Sequence, residues 1–243
     1  DSGVFEDYGL YTQVEQLNKT ALKTHGVDSN GQLYKINSFE FLRNEDIIRL
    51  TTDPAYDQTA FEALLEIKGD SDHSKLIEML EVLNDATSSM DDELFVTYFD
   101  KENIAYWMAF QLLTGNTDTQ NRNVYLYSPQ NSSKWYLWDW DNDGMLRRRE
   151  REIIKFSDSE SWERGVSNYW GNVLFRRCLQ TQSYRNMLDA AMKELYAYMN
   201  KTRIQSMLEH YRSVTETYVW QMPDRMYVPI THAEYEDVLK SIW

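Results

Sequence analysis

Cysteine is nearly absent from this chain: Cys178 stands alone among 243 residues. A single thiol excludes an internal disulfide and any cysteine-based zinc site. Its setting, NVLFRRCLQ, reads as a helix that buries the thiol as a small apolar group. No apolar run approaches 18 residues, so no membrane-spanning helix is expected. Basic residues are in deficit, 25 Lys and Arg against 39 Asp and Glu, for a net charge of -14. That balance argues against nucleic acid as a partner, since a phosphate backbone calls for basic residues in excess. It suits a soluble acidic surface, a basic protein partner or bound cations. Glycine is thin at nine residues, and no G-x-G-x-x-G occurs, so no glycine-rich phosphate loop can be named. Repeats, low-complexity tracts, an initiator Met and a signal peptide are also missing, and the opening DSGVFEDYGLY reads as the start of an excised piece.

Aromatic residues, in contrast, are plentiful. Eight Trp, 17 Tyr and nine Phe exclude a disordered chain, and the length suits one large domain or two small ones. DYGLYTQVEQ alternates apolar and polar residues and predicts a strand from Tyr8 through Val14. LNKTALKTHG predicts a short helix stopped by Gly26, and QLYKI a second strand that could pair with the first. From Asn44 to Gly115 the periodicity is helical. AFEALLEIKG ends at Gly69, and SKLIEMLEVLND sets Leu76, Met79, Leu80 and Leu83 on one face. DKENIAYWMAFQLLTG runs from an Asp100 cap to Gly115. VYLYS and KWYLW predict a hairpin, RRREREIIKF and SDSESWERG an irregular exposed stretch, and the chain beyond Asn172 three or four amphipathic helices. The fold class is α+β. Asn18, Asn131 and Asn200 head glycosylation sequons, a weak signal in so polar a chain.

The chemistry gathers in two stretches. WDWDNDGMLRRRE carries Asp139, Asp141, Asp143, Gly144 and Glu150 in the spacing of a helix-loop-helix calcium site. The residues before it read as a strand, no second loop accompanies it, and three arginines crowd it, so that context is lacking. One hairpin upstream, Asp118-Thr-Gln-Asn-Arg-Asn123 precedes VYLY. The order Asp-x4-Asn, hairpin, Asp is that of the catalytic loop and metal-binding Asp of protein kinases. A hairpin brings its two ends together, and two carboxylates about 4 Å apart repel by roughly 4 kcal/mol at an effective dielectric near 20. A divalent ion is the usual relief. The plainer reading is that Asp118 and Asn123 tie their own loop together. Lys35, on a predicted strand, suits nucleotide phosphates or a snorkelling surface position. Glu15 or Glu45 could pair with it. Trp135 and Trp138 suit core packing or a flat wall for a purine.

Together, DYGLYTQVEQLNKTALK, GQLYK, LLTGNTDTQNRNVYLY and SKWYLWDWDND resemble the spore-coat protein H (CotH) family of atypical kinases, and the resemblance extends over the whole chain. It implies a divergent protein-kinase-like fold with a small strand-containing lobe, of which residues 1–43 would be a remnant lacking its first strands. Residues 44–243 would form a larger helical lobe containing the hairpin, the whole making one domain. It further implies ATP- and Mg2+-dependent phosphotransfer to serine of a protein substrate, with Ca2+ or Mn2+ as other candidate ions. Asp118 resembles the catalytic Asp, Asn123 and Asp141 the metal ligands with Asp139 in support, Lys35 the nucleotide-contacting Lys, and Trp135 the aromatic at the adenine. A Ser-rich, basic substrate fits the charge. Relatives that act as surface adhesins or in secreted assemblies imply an alternative, a non-catalytic binding module with a structural cation site. The family setting implies a secreted, cell-surface or spore-coat location.

Overall fold

A computed structural model describes Gly3 and residues 7–116, 118–146 and 169–241. Of these, residues 16–146 and 169–195 form one compact unit, and those up to 15 and from 196 onward form another. The larger unit starts with α1 (Lys19–Thr24) and β1 (Gln32–Ile36), followed by α2 (Gln58–Leu64), β2 (Leu65–Ile67) and α3 (Ser74–Asn84). A π-helical stretch (Met90–Tyr98) leads to α4 (Lys101–Thr114), then β3 (Val124–Ser128) and β4 (Tyr136–Asp139). A 3-10 turn (Asn142–Gly144) follows, and α5 (Val173–Gln180) and α6 (Gln182–Tyr198) close the unit's description. The smaller unit holds α7 (Lys201–Val219), a 3-10 turn (Asp224–Met226) and α8 (His232–Ser241). No helix among the described residues is long and apolar enough to cross a membrane.

The α+β expectation holds, but the strands are arranged differently. One antiparallel sheet of order β2-β1-β3-β4 contains every strand. QLYKI therefore lies at the centre of the hairpin's own sheet, with Lys35 opposite Glu66 on one side and Tyr125 on the other. The expected partner, Tyr8–Val14, has no regular secondary structure. Gly9 takes φ +82°, the Leu10 amide donates to the Asp224 carboxylate at 3.0 Å, and Tyr8 and Tyr11 stand in solvent. Alternation alone could not tell a half-buried strand from a solvated segment. In AFEALLEIKG the helix stops at Leu64, because Leu65–Ile67 pairs with β1. Tertiary pairing outweighs local helical periodicity here.

Helices α3 and α4 follow their sequence signals, whereas the irregular stretch expected from RRREREIIKF and SDSESWERG lies outside the described residues. Asp100 caps α4 by accepting from the Asn103 amide, and Gly115 ends that helix at φ +65°, the left-handed conformation that glycine adopts without strain. Leu76, Met79, Leu80 and Leu83 are all buried, as is Cys178, and burial pushes the Cys178 thiol far up. Two sequon asparagines serve as helix caps: Asn18 accepts from Thr20 and Ala21, and Asn200 from Arg203. The sheet separates two apolar clusters. Tyr34, Ile36, Val124, Leu126 and Leu137 join the main core with α3, α4 and α5. Leu33, Tyr125 and Tyr127 form a second cluster with Leu22 of α1, edged by Tyr136, Trp138 and Trp140.

Candidate functional site

The loop that leaves α4 and the loop that leaves β4 are sewn together. Leu146 donates its amide to the Thr114 carbonyl at 2.7 Å. Asn116, 2% exposed, donates through Nδ2 to Asn142 Oδ1 at 3.2 Å and accepts from the Asp118 amide at 3.3 Å. Gly144 is required for this closeness, since a Cβ there would lie 2.8 Å from Asn116 Oδ1. Below, the Phe39 amide donates to the Asn121 carbonyl at 2.8 Å, and Asn172 Nδ2 donates to the Gln120 carbonyl at 2.8 Å. Both loops are thus held by backbone groups and by the side-chain amides of Asn116, Asn142 and Asn172.

Asp118 is exposed at this junction. Its Oδ2 accepts from Asn123 Nδ2 at 3.1 Å, and its Oδ1 pairs with Arg122 Nε at 3.7 Å. The loop-tying reading of Asp-x4-Asn is therefore realised. It also turns the Asn123 carbonyl oxygen away from Asp118. Val124, next to Asn123, pairs with Asp139 across the hairpin, so Asn123 and the Asp139–Asp141 segment share one sheet end. Asn123 and Asp141 both sit at positive φ, +55° and +57°. Asn and Asp tolerate that region best among non-glycine residues, and such strain clusters at functional sites. Asp141 is exposed, and its carboxylate has no hydrogen-bond or ion-pair partner among the described residues. Asp141 and the side-chain oxygen of Asn123 are hard oxygen donors, the kind that Mg2+ or Ca2+ takes.

Asp139 faces the other way. Gln111 Nε2 of α4 donates to its Oδ1 at 2.7 Å. The carboxylate stands in a recess beside Trp107, open to solvent on one side. Crowding by protein on the other side pushes its pKa up to about 6 against the opposing donor Gln111. Lys35 lies on the opposite face of the sheet, its ammonium 5.7 Å from the centre of the Trp140 ring, beside the residue that precedes Asp141. The cross-strand pair expected with Glu15 has no strand to carry it, and Glu45 stands in a turn. Trp135 is fully buried, stacked on Tyr34 with ring centres 6.2 Å apart. Of its two readings, burial supports core packing, and no face of the ring is open as a purine wall. The aromatic surface instead comes from Tyr127, Tyr136 and Trp138, which with Val27, Asp28 and Pro129 line a cavity of about 340 Å3.

The preceding strand β4 leaves the calcium pattern without its entering helix, and Glu150 lies outside the described residues. Sequence reasoning missed Asn116 and Asn142, which join the loops, and read Gly144 only as part of the calcium spacing. The only local signal was the density of Asn and Gly around the aspartates. It also missed a cluster in the smaller unit, where ligand atoms of Glu216, His232 and Glu236 lie within 4.8 Å of one another. Arg212 occupies that cluster, pairing with Glu216 at 2.9 Å and with Glu236. Its cation already pairs with both carboxylates and holds Glu216 below the usual range, so the cluster reads as an ion-pair clasp between α7 and α8.

Comparison with known proteins agrees with the resemblance read from the motifs. The family model described as CotH kinase protein matches residues 3–243, and the chain belongs to that family. No curated protein matches it.

Proposed function

We propose that this chain is an atypical protein kinase that transfers phosphate from ATP to serine in a protein substrate, with the sewn-together loops as its active site. The observation that carries the reading is the shared sheet end: Asp118, Asn123 and Asp141 emerge from two loops joined through Asn116, Asn142 and Gly144. The whole chain is taken as one domain of divergent kinase-like fold.

Asp118 orients the acceptor hydroxyl and receives its proton, while Asn123 and Arg122 fix the carboxylate. Asn123 and Asp141 are the residues that would hold a divalent ion, and Asp139, turned toward α4, supports the end of the strand. Bound Mg-ATP supplies the transferable phosphoryl group and the cation that neutralises its oxygens. Lys35 adds positive charge, and Trp138 and Trp140 offer the flat apolar surface for the base in place of Trp135. Catalysis on this plan comes from positioning and fixed electrostatics, with no covalent intermediate.

Transfer from labelled ATP to a Ser-rich basic peptide tests the reading. The wild type should incorporate phosphate, and Asp118→Asn and Asp141→Asn should not; equal incorporation by all three refutes it. One observation favours a second reading. Asp118 is already engaged within its own loop by Arg122 and Asn123, which suits a non-catalytic binding module with a structural cation. Thermal unfolding separates the two, because a ligand that binds the folded state raises the midpoint. Stabilisation by Ca2+ alone, with Mg-ATP adding nothing, selects the module.

A further inference from the structure

Behind the sheet, on the side away from Lys35, Asp139 stands in a recess of about 290 Å3 whose walls include Tyr106, Trp107, Phe110, Leu137 and Leu195. Its construction differs from the loop junction. Gln111, 1% exposed, holds Oδ1 of the carboxylate at 2.7 Å. Trp107, 4% exposed, lines the same recess, and its indole N–H has no hydrogen-bond partner among the described residues. Gln111 fixes the carboxylate from the protein side. An ionised carboxylate has about four acceptor positions, so the solvent-facing positions remain for a ligand. At the rim, Tyr106 donates its hydroxyl to Glu194 Oε2 at 2.5 Å, adding a second negative charge. The rings of Tyr106 and Phe110 therefore line the recess of an anchored carboxylate, with the Glu194 carboxylate held by Tyr106, while Trp107 is stacked on Phe175.

We infer that this recess is a binding site for an organic cation, a guanidinium group above all, seated against Tyr106 and Phe110 and paired with Asp139. The chemistry selects the ligand class. Aromatic faces attract cations and exclude anions, and a planar, weakly hydrated guanidinium both stacks on rings and forks onto a carboxylate. A hydrated metal ion would gain little from apolar walls. The chain's net charge of -14 raises the local concentration of any cation. The site does not depend on the phosphotransfer reading.

Calorimetric titration of the whole chain, without nucleotide or metal, tests the site. The probes are agmatine, a short peptide with one arginine, and the same peptide with citrulline. Quenching of tryptophan fluorescence follows the same titrations. Agmatine and the arginine peptide should bind at one site, and citrulline should weaken binding about tenfold or more, the worth of a charge-assisted hydrogen bond. Asp139→Asn, which keeps the shape and the bond from Gln111, should weaken the cation probes by the same factor. Tyr106→Leu should weaken them severalfold while leaving the carboxylate in place. Tighter binding of the peptide assigns the source to a protein segment, and equal binding assigns it to a free guanidinium compound. Absence of millimolar binding, indifference to citrulline, or retention in both variants overturns the site. Loss of phosphotransfer with cation binding intact would count against the kinase reading alone.

Discussion

Along β4, Leu137 packs into the main core and Asp139 reaches Gln111 of α4, while Tyr136 and Trp138 stand on the other face beside Tyr127. The same contrast runs through β1 and β3: Tyr34, Ile36, Val124 and Leu126 turn inward, Lys35, Tyr125 and Tyr127 outward. A strand alternates its side chains with period two, so neighbouring residues can serve different ends. The inner face supplies stability. Its outer counterpart offers aromatic surface and a cation, and at the strand's end the chain delivers Asp141 to the loop junction. That division predicts where function can be lost without unfolding, and where it cannot.

The largest effect is expected at the end of the ribbon. Asp141→Asn keeps a side chain that tolerates positive φ, removes one charge from an exposed position, and should leave the thermal midpoint nearly unchanged. Phosphotransfer should fall about 10^2- to 10^3-fold, about 3–4 kcal/mol of barrier. Kinetics and thermal unfolding on the same sample check it. If activity falls only in step with folded fraction, the junction is structural and the contrast between the faces says nothing about catalysis.

Substitution within one strand pair sharpens the contrast next. Leu126→Ala on the inner face deletes a fully buried side chain and should cost about 3 kcal/mol in urea unfolding. Trp138→Ala, on the outer face, should cost much less stability but weaken nucleotide binding about tenfold, the scale of one base stacked on an aromatic ring. Comparable losses of stability would mean that the outer face is simply a second core.

Much of this architecture was legible in advance, and the parts that were not share a cause. The hairpin, the Asp100 and Gly115 stops of α4, and the apolar face of α3 are written in local pattern. The pairing of β1 is not, because it is set by Leu126 and Ile67, far along the chain. Trp135 shows the same limit for the site. Its place beside the acidic loop is readable, but stacking on Tyr34 from a distant strand decides that it is core. Asp118, Asn123 and Asp141 stand out by type and spacing. The amide clamp from Asn116 to Asn142 does not, since any two loops rich in Asn look alike until they meet.

Protonation distinguishes the faces more gently. His73 is buried on the core side, with Nδ1 2.8 Å from the Tyr34 hydroxyl and Nε2 3.2 Å from that of Tyr56, and its ring stacks on Phe61. Burial pushes its pKa down to about 4, although Asp72 and Asp70 pull the other way. In the unfolded chain the same imidazole takes its proton near the ordinary value of about 6.5. The unfolded state therefore binds the proton first. This contribution to stability is complete above pH 6.5 and is lost as pH falls toward 4, by up to about 3 kcal/mol. Urea unfolding at pH 7 and 4.5 should show the loss. His73→Gln should be less stable at pH 7 yet lose less between the two values, and an unchanged pH difference would remove His73 as the cause.

The smallest effect belongs to Lys35. Its ammonium rests 5.7 Å from the Trp140 ring centre with its stem on the outer face, and such an exposed contact is worth about 0.5–1 kcal/mol. Lys35→Met keeps most of the stem and removes the charge, so stability should hardly change. Nucleotide affinity should fall about threefold if the charge acts at a distance through the field beside Trp140. A fall of about 100-fold would mean direct phosphate contact, about 2.7 kcal/mol by the usual conversion, and would make Lys35 part of the junction. Unchanged affinity would return it to the surface as a cover for aromatic rings. Equilibrium titration with a fluorescent ATP analogue distinguishes the three, and only the threefold fall keeps the outer face as platform and the loop junction as reaction centre.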